Sequence, residues 1–148
     1  MAVHAQLKSP GAWIGVCPVG KRQPVVLHPD ERVVGPTTPG LDERQRHDAE
    51  GRWVGLSGWI TNDAGDVSGW HHHAANDTYV YVIRGSITIE FGPGGAERIE
   101  ARAGDYFIVP ADTIHREATS PDGDLEAFIL RVGSEPEYVG VDGPEQAG

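Results

Sequence analysis

Three consecutive histidines, His71, His72 and His73, stand at the start of an apolar run and are the side chains of this sequence best suited to chemistry. The run, residues 78–83, is β-branched and aromatic throughout, which favours a buried strand. Side chains alternate between the two faces of a strand, so His71 and His73 share one face about 6.6 Å apart, and His72 faces the other way. Because imidazole nitrogens are common transition-metal ligands, the spacing predicts half of a metal site.

A candidate third ligand, His115, follows a second apolar segment, residues 104–110, which begins with glycine and ends with proline. Together the two segments resemble the motifs of the cupin family, G-x5-H-x-H-x3-4-E-x6-G and G-x5-P-x4-H-x3-N. The first motif is matched by Gly65, His71, His73 and Gly85, and the second by Gly104, Pro110 and His115. The resemblance implies that the three histidines His71, His73 and His115 hold one metal ion.

The sequence departs from the cupin motifs at two positions. Counting back from the last glycine of the first motif, its glutamate position falls on Thr78, and Asp77 precedes it. On an unbroken strand Asp77 would share the face of the histidines, whereas a one-residue bulge in the weak strand segment 74–76 would turn Thr78 inward. The spacing favours the bulge, so we predict a three-histidine site with Asp77 as a candidate fourth ligand. The asparagine position of the second motif holds Thr119, which can still donate a hydrogen bond.

Glu117 lies two residues after His115, so on a strand it shares the face of that histidine. A carboxylate beside metal-binding histidines can orient them or carry a proton. Exposure to water at the rim of the site is the competing interpretation. Both remain open at this point.

Short apolar runs separated by twenty glycines and eleven prolines indicate an all-β protein. The cupin resemblance implies a double-stranded β-helix, the cupin jelly-roll barrel. We predict one domain with three parts: an N-terminal arm with peripheral strands over residues 1–53, the barrel core over 54–132 and an acidic tail over 133–148. Within the first part, the charged segment 41–51 is predicted to form a turn of helix or a solvated loop. With a bulge before Thr78, Tyr79 and Tyr81 are predicted to face outward and to pack against a neighbouring sheet or a partner subunit, and they are interpreted as core residues.

Charge and composition narrow the classes of partner. A formal charge of −10 disfavours nucleic acid and anionic membranes, because both select clusters of lysine and arginine. The one cysteine, Cys17, cannot form an internal disulfide, which fits a reducing compartment. The N-terminus shows no secretory signal pattern and no segment is long enough to cross a membrane, so we expect a cytoplasmic protein.

The cupin resemblance leaves three functions open. A three-histidine site without the glutamate resembles iron-dependent dioxygenases, which gives a mononuclear non-haem iron dioxygenase acting on a small organic molecule as the first hypothesis. The second is a Zn, Mn or Ni enzyme that performs an isomerisation, cyclisation or elimination, with Glu117 or Asp77 moving the proton. The third is a non-catalytic cupin that binds a small molecule or a sugar. The predicted cofactor is one divalent transition metal per chain (Fe, Zn, Mn, Ni or Cu, with Fe favoured), and the family resemblance also implies a homodimer.

Overall fold

The computed structural model describes residues 26, 28–32, 34–35, 38–48, 50–133 and 138–146. Within these residues the chain forms strands joined by tight turns, and its only helical pieces are the single 3-10 turns Pro29–Glu31 and Pro93–Gly95. The ten strands of this described part are β1 (Leu41–His47), β2 (Trp53–Asn62), β3 (His71–His72), β4 (Asp77–Arg84), β5 (Ser86–Phe91), β6 (Glu97–Arg102), β7 (Tyr106–Val109), β8 (His115–Thr119), β9 (Leu125–Val132) and β10 (Val139–Gly140). None of the described residues forms a helix long and apolar enough to span a membrane.

The strands form two five-stranded antiparallel sheets, which confirms the predicted all-β double-stranded β-helix. The first sheet has the order β1-β2-β9-β4-β7, and the second has the order β10-β3-β8-β5-β6. Each sheet combines strands that are far apart in sequence, so neither sheet can form from one contiguous stretch of chain. Apolar side chains of the two inner faces meet in the core, as expected for paired sheets.

The core follows from the period-two alternation of the strands. In β9, every second residue from Leu125 to Arg131 is buried, and the intervening residues are partly or fully exposed. Two buried clusters result: Leu41, Leu56, Val80, Ala127 and Ile129 in one, and Val82, Ile87, Ile89, Ala101 and Leu125 in the other.

The prediction of a helical turn or solvated loop over residues 41–51 is wrong for most of that segment. Residues Leu41–His47 form β1, which pairs antiparallel with β2. Leu41 is fully buried in the core, and Glu43, two residues later, is 4% exposed. Local charge density favoured a loop, but the backbone hydrogen bonds to β2 and the burial of Leu41 outweigh it, because strand formation depends on the available neighbour.

Tyr81 faces outward as predicted, but its assignment to the core is wrong. Tyr81 is 47% exposed on the outer face of β4, while the residues on either side of it, Val80 and Val82, are buried. Residues 1–25 of the predicted N-terminal part, which spans residues 1–53, lie outside the residues that the structure describes.

The end of the described chain returns to the second sheet. Residues Val139 and Gly140 form β10, which pairs antiparallel with His72 and His71 of β3. The backbone N–H of Val141 also donates to the carbonyl of Trp70 at 3.0 Å. Residues 138–146 therefore lie beside the strand that carries the histidines.

Candidate metal centre

The fold brings His71, His73 and His115 together. His71 on β3 lies directly opposite His115 on β8, and His73 follows one residue after the end of β3. One ligand nitrogen from each ring lies within 4.8 Å of the other two, and the residues are only 1% to 4% exposed. His72, in contrast, is half-buried outside this cluster, and its Nδ1 accepts a hydrogen bond from the backbone N–H of Ala74 at 3.1 Å.

Hydrogen bonds fix which nitrogen of each ring is free to bind a metal. His71 Nδ1 lies 2.9 Å from the carbonyl of Gly69, and His115 Nδ1 lies 2.8 Å from the carbonyl of Thr113. A carbonyl oxygen only accepts, so each Nδ1 carries the hydrogen and each Nε2 of the neutral ring keeps its lone pair. Burial lowers the pKa of His71, and the opposing effect of Glu117 does not reverse this. The His71 ring is therefore held in the neutral form that coordinates metals.

Glu117 faces the same point as the two Nε2 atoms. Its Oε1 lies 3.2 Å from His115 Nε2, and its Oε2 lies 3.6 Å from His71 Nε2. Ligand bonds of about 2.1 Å around a tetrahedral or octahedral ion place neighbouring ligand atoms roughly 3 to 3.5 Å apart. The carboxylate of Glu117 thus stands at the distance that a fourth ligand would have, closer to the rings than the sequence alone indicated.

Local contacts hold Glu117 in this position and in its ionised form. Ser68 Oγ donates to Glu117 Oε2 at 2.9 Å, and the backbone N–H of Glu117 donates to Ser68 Oγ at 2.9 Å. Burial by itself raises the pKa of the Glu117 carboxyl, but the facing imidazoles of His115 and His71 and the hydrogen bond from Ser68 outweigh it and lower the pKa to about 2. Glu117 is therefore an anion aimed at the histidine cluster.

Asp77 is placed away from the three rings. Its Oδ1 accepts a hydrogen bond from the backbone N–H of Ala111 at 2.9 Å, and the residue is not part of the histidine cluster. The cause is a tight turn after His73, in which Ala74 has a φ of 48° and the N–H of Asn76 donates to the carbonyl of His73 at 3.2 Å. The turn has the effect that was predicted for a bulge, because it directs Thr78 inward. Thr78 is buried and lines the cavity.

Arg131, which the sequence did not single out, lies at the base of the site. It is 1% exposed on β9, and its Nη2 lies 3.2 Å from His73 Nε2. A guanidinium only donates, so His73 Nε2 accepts, and this ring also has its lone pair on Nε2. Burial lowers the pKa of Arg131 to about 10, against the opposing charges of Glu117 and Glu43, so the side chain stays protonated at neutral pH. An arginine on the apolar face of an alternating strand was the signal that could have identified it.

Tyr138, from the tail, also contributes to the site. Its ring stacks on His71 with a centroid distance of 4.3 Å and an interplanar angle of 20°. Burial raises the pKa of the Tyr138 hydroxyl, and the negative charge of Glu117 raises it further. No motif or periodicity pointed to this residue, since its position depends on the chain returning to β3.

Thr119, at the asparagine position of the second motif, makes no hydrogen bond through its side chain within the described part of the chain. Its hydroxyl oxygen is buried and has no hydrogen-bond partner among the described residues. The sequence had allowed it to serve as a donor. In this structure it does not do so.

A cavity of about 480 Å³ opens beside the histidines. This volume lies within the range of about 300 to 1,000 Å³ that is usual for small-molecule sites. His71, His73, His115, Glu117, Arg131 and Tyr138 all line it, so its polar groups converge in one region. Its apolar wall includes Ile60, Val80, Ile87, Phe107, Val109 and Ile129.

The donor set of this cavity suits a transition-metal ion. Three imidazole nitrogens and one carboxylate match the preference of Fe, Zn, Mn, Ni and Cu, whereas Mg and Ca prefer oxygen ligands throughout. The residues present therefore fit an ion of this class.

Two antiparallel sheets that enclose a histidine-lined cavity define the class of double-stranded β-helix proteins. The sequence matches the family model described as cupin domain over residues 58–131, which is 74 of its 148 residues. The chain belongs to the cupin family.

Solved structures support the same fold. An uncharacterised double-stranded β-helix protein from Klebsiella pneumoniae has a TM-score of 0.58 and 14% identity, covering 79% of this chain and 91% of its own. KdgF from Halomonas sp. has a TM-score of 0.57 and 21% identity, covering 76% of this chain and 96% of its own. An oxalate oxidase has a TM-score of 0.54 and 19% identity, covering 70% of this chain and 57% of its own. In a comparison with curated proteins, none matches this sequence significantly.

Proposed function

We propose that this cupin binds one divalent transition-metal ion through His71, His73, His115 and Glu117, and that it is an enzyme acting on a small organic molecule in the adjoining cavity. The observation that carries the proposal is a cluster of three buried histidines, whose ligand nitrogens lie within 4.8 Å of one another, with the Glu117 carboxylate 3.2 Å and 3.6 Å from two of them, in a cavity of about 480 Å³. When bound, such an ion supplies a Lewis acid and, for iron, a redox centre. Iron is the metal we favour.

The first reaction we propose is a mononuclear non-haem iron dioxygenation. His71, His73 and His115, with Glu117 as a fourth group, would hold the iron, and the ion would supply the redox chemistry of a dioxygenation. One cupin of similar fold is an oxalate oxidase by name, so redox chemistry on a small acid occurs within this fold. In this chain, Ser68 keeps the carboxylate of Glu117 in place, and the ring of Tyr138 covers one face of His71.

A specific observation favours a second candidate, a non-redox isomerase, cyclase or lyase that uses Zn, Mn or Ni. Glu117 lines the cavity, so its carboxylate is placed where it can exchange a proton with a bound molecule. In this alternative Glu117 moves the proton and does not act as a ligand.

Loading the purified chain separately with Fe²⁺ and with Zn²⁺ tests these candidates. We expect the iron form, and not the zinc form, to consume dioxygen in proportion to a substrate chosen from small organic acids, and His115→Ala to be inactive. Turnover by the Zn, Mn or Ni form without oxygen uptake would instead favour the second candidate. Ligand binding without turnover in any metal form would contradict an enzyme and indicate a non-catalytic binding protein.

We also propose that the protein is a cytoplasmic homodimer that associates through an uncharged outer face of the first sheet. This face, which we call the outer aromatic face, consists of two rows of three side chains on adjacent strands: Leu130, Tyr79 and Ile108 in one row, and Phe128, Tyr81 and Tyr106 in the other. Five of the six are 40% to 58% exposed. Because each chain carries a formal charge of −10, an uncharged face is where two copies meet with the least repulsion.

Charging the outer aromatic face is expected to separate the dimer. Light scattering should give about twice the chain mass of 15.9 kDa for the wild type and close to one chain mass for the double variant Tyr81→Asp, Leu130→Asp. The matched control is Ile99→Asp, because Ile99 is 40% exposed on β6 of the other sheet. A wild type that stays at one chain mass at micromolar concentration would contradict the dimer.

A further inference from the structure

Arg131 is a buried cation, and metal binding by the histidines does not explain why a positive charge is buried there. Its three hydrogen bonds go to neutral acceptors: Nε to Thr78 Oγ1 at 3.0 Å, Nη1 to Thr38 Oγ1 at 2.9 Å and Nη2 to His73 Nε2 at 3.2 Å. Among the residues that the structure describes, no carboxylate oxygen lies within 4.0 Å of its guanidinium nitrogens. Burying a cation without a direct counter-ion costs free energy. A bound anion that is not part of the protein would offset this cost.

An ion at the histidines increases the positive charge of the cavity. The nearest charges that favour protonated Arg131 are Glu117 and Glu43. Three neutral imidazoles do not offset the charge of a divalent ion, and Glu117 offsets only half of it. The loaded site, with the guanidinium beside it, therefore attracts anions.

Coordination also changes what Arg131 can donate to. The lone pair on His73 Nε2 cannot accept a hydrogen bond from Arg131 and bind an ion at the same time. Coordination through this nitrogen would break the contact at 3.2 Å and leave Nη2 of Arg131 without that acceptor. Because Arg131 lines the cavity, this donor would become available to a bound molecule, and a guanidinium fork matches the geometry of a carboxylate.

The residue at the glutamate position of the first motif does not neutralise the positive charge of Arg131. That position holds Thr78, whose hydroxyl accepts from Arg131 Nε. A glutamate there would stand beside the guanidinium and neutralise it from within the protein. Threonine satisfies one donor but leaves the positive charge for a bound molecule.

We propose that Arg131 binds a carboxylate of the substrate, and that the substrate is a small organic acid held between the guanidinium and the ion. This inference rests on the metal-dependent function proposed above and adds the chemical class of the substrate. The apolar wall formed by residues such as Phe107 and Ile129 receives the remainder of the molecule.

Calorimetry on the full chain loaded with Zn²⁺ tests the inference without turnover. The probes are lactate and benzoate, each compared with its amide, lactamide or benzamide, which has nearly the same shape but no charge. We expect at least one acid to bind the wild type and its amide to bind more weakly. Since a charge-assisted pair is lost, Arg131→Gln should bind that acid roughly 10- to 100-fold more weakly. Arg84→Gln is the control, because Arg84 is exposed on β4 and pairs with Glu126 outside the cavity.

A second variant tests the same point while Arg131 remains. Thr78→Glu supplies an internal carboxylate to the guanidinium, so it should weaken acid binding by a similar factor while the zinc content stays the same. Thr78→Gln is its matched neutral control and should bind the acid more tightly than Thr78→Glu. This pair decides the question if Arg131→Gln does not fold.

Zinc content, measured on the same samples, separates this inference from the proposed function. A wild type that holds no ion contradicts the proposed function, and the inference that rests on it. A wild type that holds zinc overturns this inference alone in three cases: if neither acid binds, if the amides bind equally well, or if acid affinity is unchanged in both Arg131→Gln and Thr78→Glu.

Discussion

Replacing any one of His71, His73 and His115 with alanine is expected to abolish stoichiometric metal binding, whereas His72→Ala retains it. Each of the three rings supplies one nitrogen to a cluster within 4.8 Å, and the His72 ring accepts a backbone hydrogen bond outside that cluster. Loss of an outer-shell partner costs about 10- to 100-fold in metal affinity, so removal of a direct ligand should cost more.

Elemental analysis and thermal unfolding check this result together. At a metal concentration of 100 Kd, an ion that binds only the folded chain adds about 2.7 kcal/mol to its free energy of unfolding. We expect this gain in the wild type and in His72→Ala, and no gain in the other three variants at the same concentration. Metal retained by His71→Ala but lost from His72→Ala would overturn the ligand assignment.

Glu117→Gln is expected to weaken metal binding by roughly 100-fold, at the upper end of the range known for groups that support a metal site. Glutamine keeps the size of the side chain and can still accept the hydrogen bond from Ser68, so the substitution removes mainly the negative charge that faces His71 and His115. Competition with a chelator of known affinity measures the change.

Asp77→Asn is the matched control for Glu117→Gln. Its side-chain oxygen can still accept from the N–H of Ala111, so metal affinity should equal that of the wild type. Loss of metal in Asp77→Asn with full affinity in Glu117→Gln would show that Asp77, and not Glu117, is the carboxylate that binds the metal. Full affinity in Glu117→Gln with loss of turnover alone would instead make Glu117 a proton carrier and not a ligand.

The fold class and the histidine set could be read from the sequence because both depend on short-range patterns. Alternation along single strands placed His71 and His73 on one face, and motif spacing added His115. The same three residues are the ones that the fold brings within 4.8 Å. Where short-range patterns were weak, as in Leu41–His47, the prediction was wrong, since pairing with β2 decides that segment.

The sequence alone did not decide whether Asp77 or Thr78 faces the histidines. One residue of register turns every following side chain to the other face of a strand, and the sequence allowed both registers. The turn at Ala74 decides between them, placing Asp77 against Ala111 and Thr78 against Arg131.

Strand periodicity in the sequence indicated an all-β protein with His71 and His73 on one face, and the resemblance of two motifs to the cupin family implied the two-sheet barrel and added His115. Only the tertiary structure decided what surrounds the imidazoles. Pairing of β3 with β8 brings Glu117 to the Nε2 atoms, and β9 and the returning tail bring Arg131 and Tyr138 against rings about 60 residues earlier in the chain. Contacts at that separation depend on which strands become neighbours in a sheet, and no local pattern contains that information.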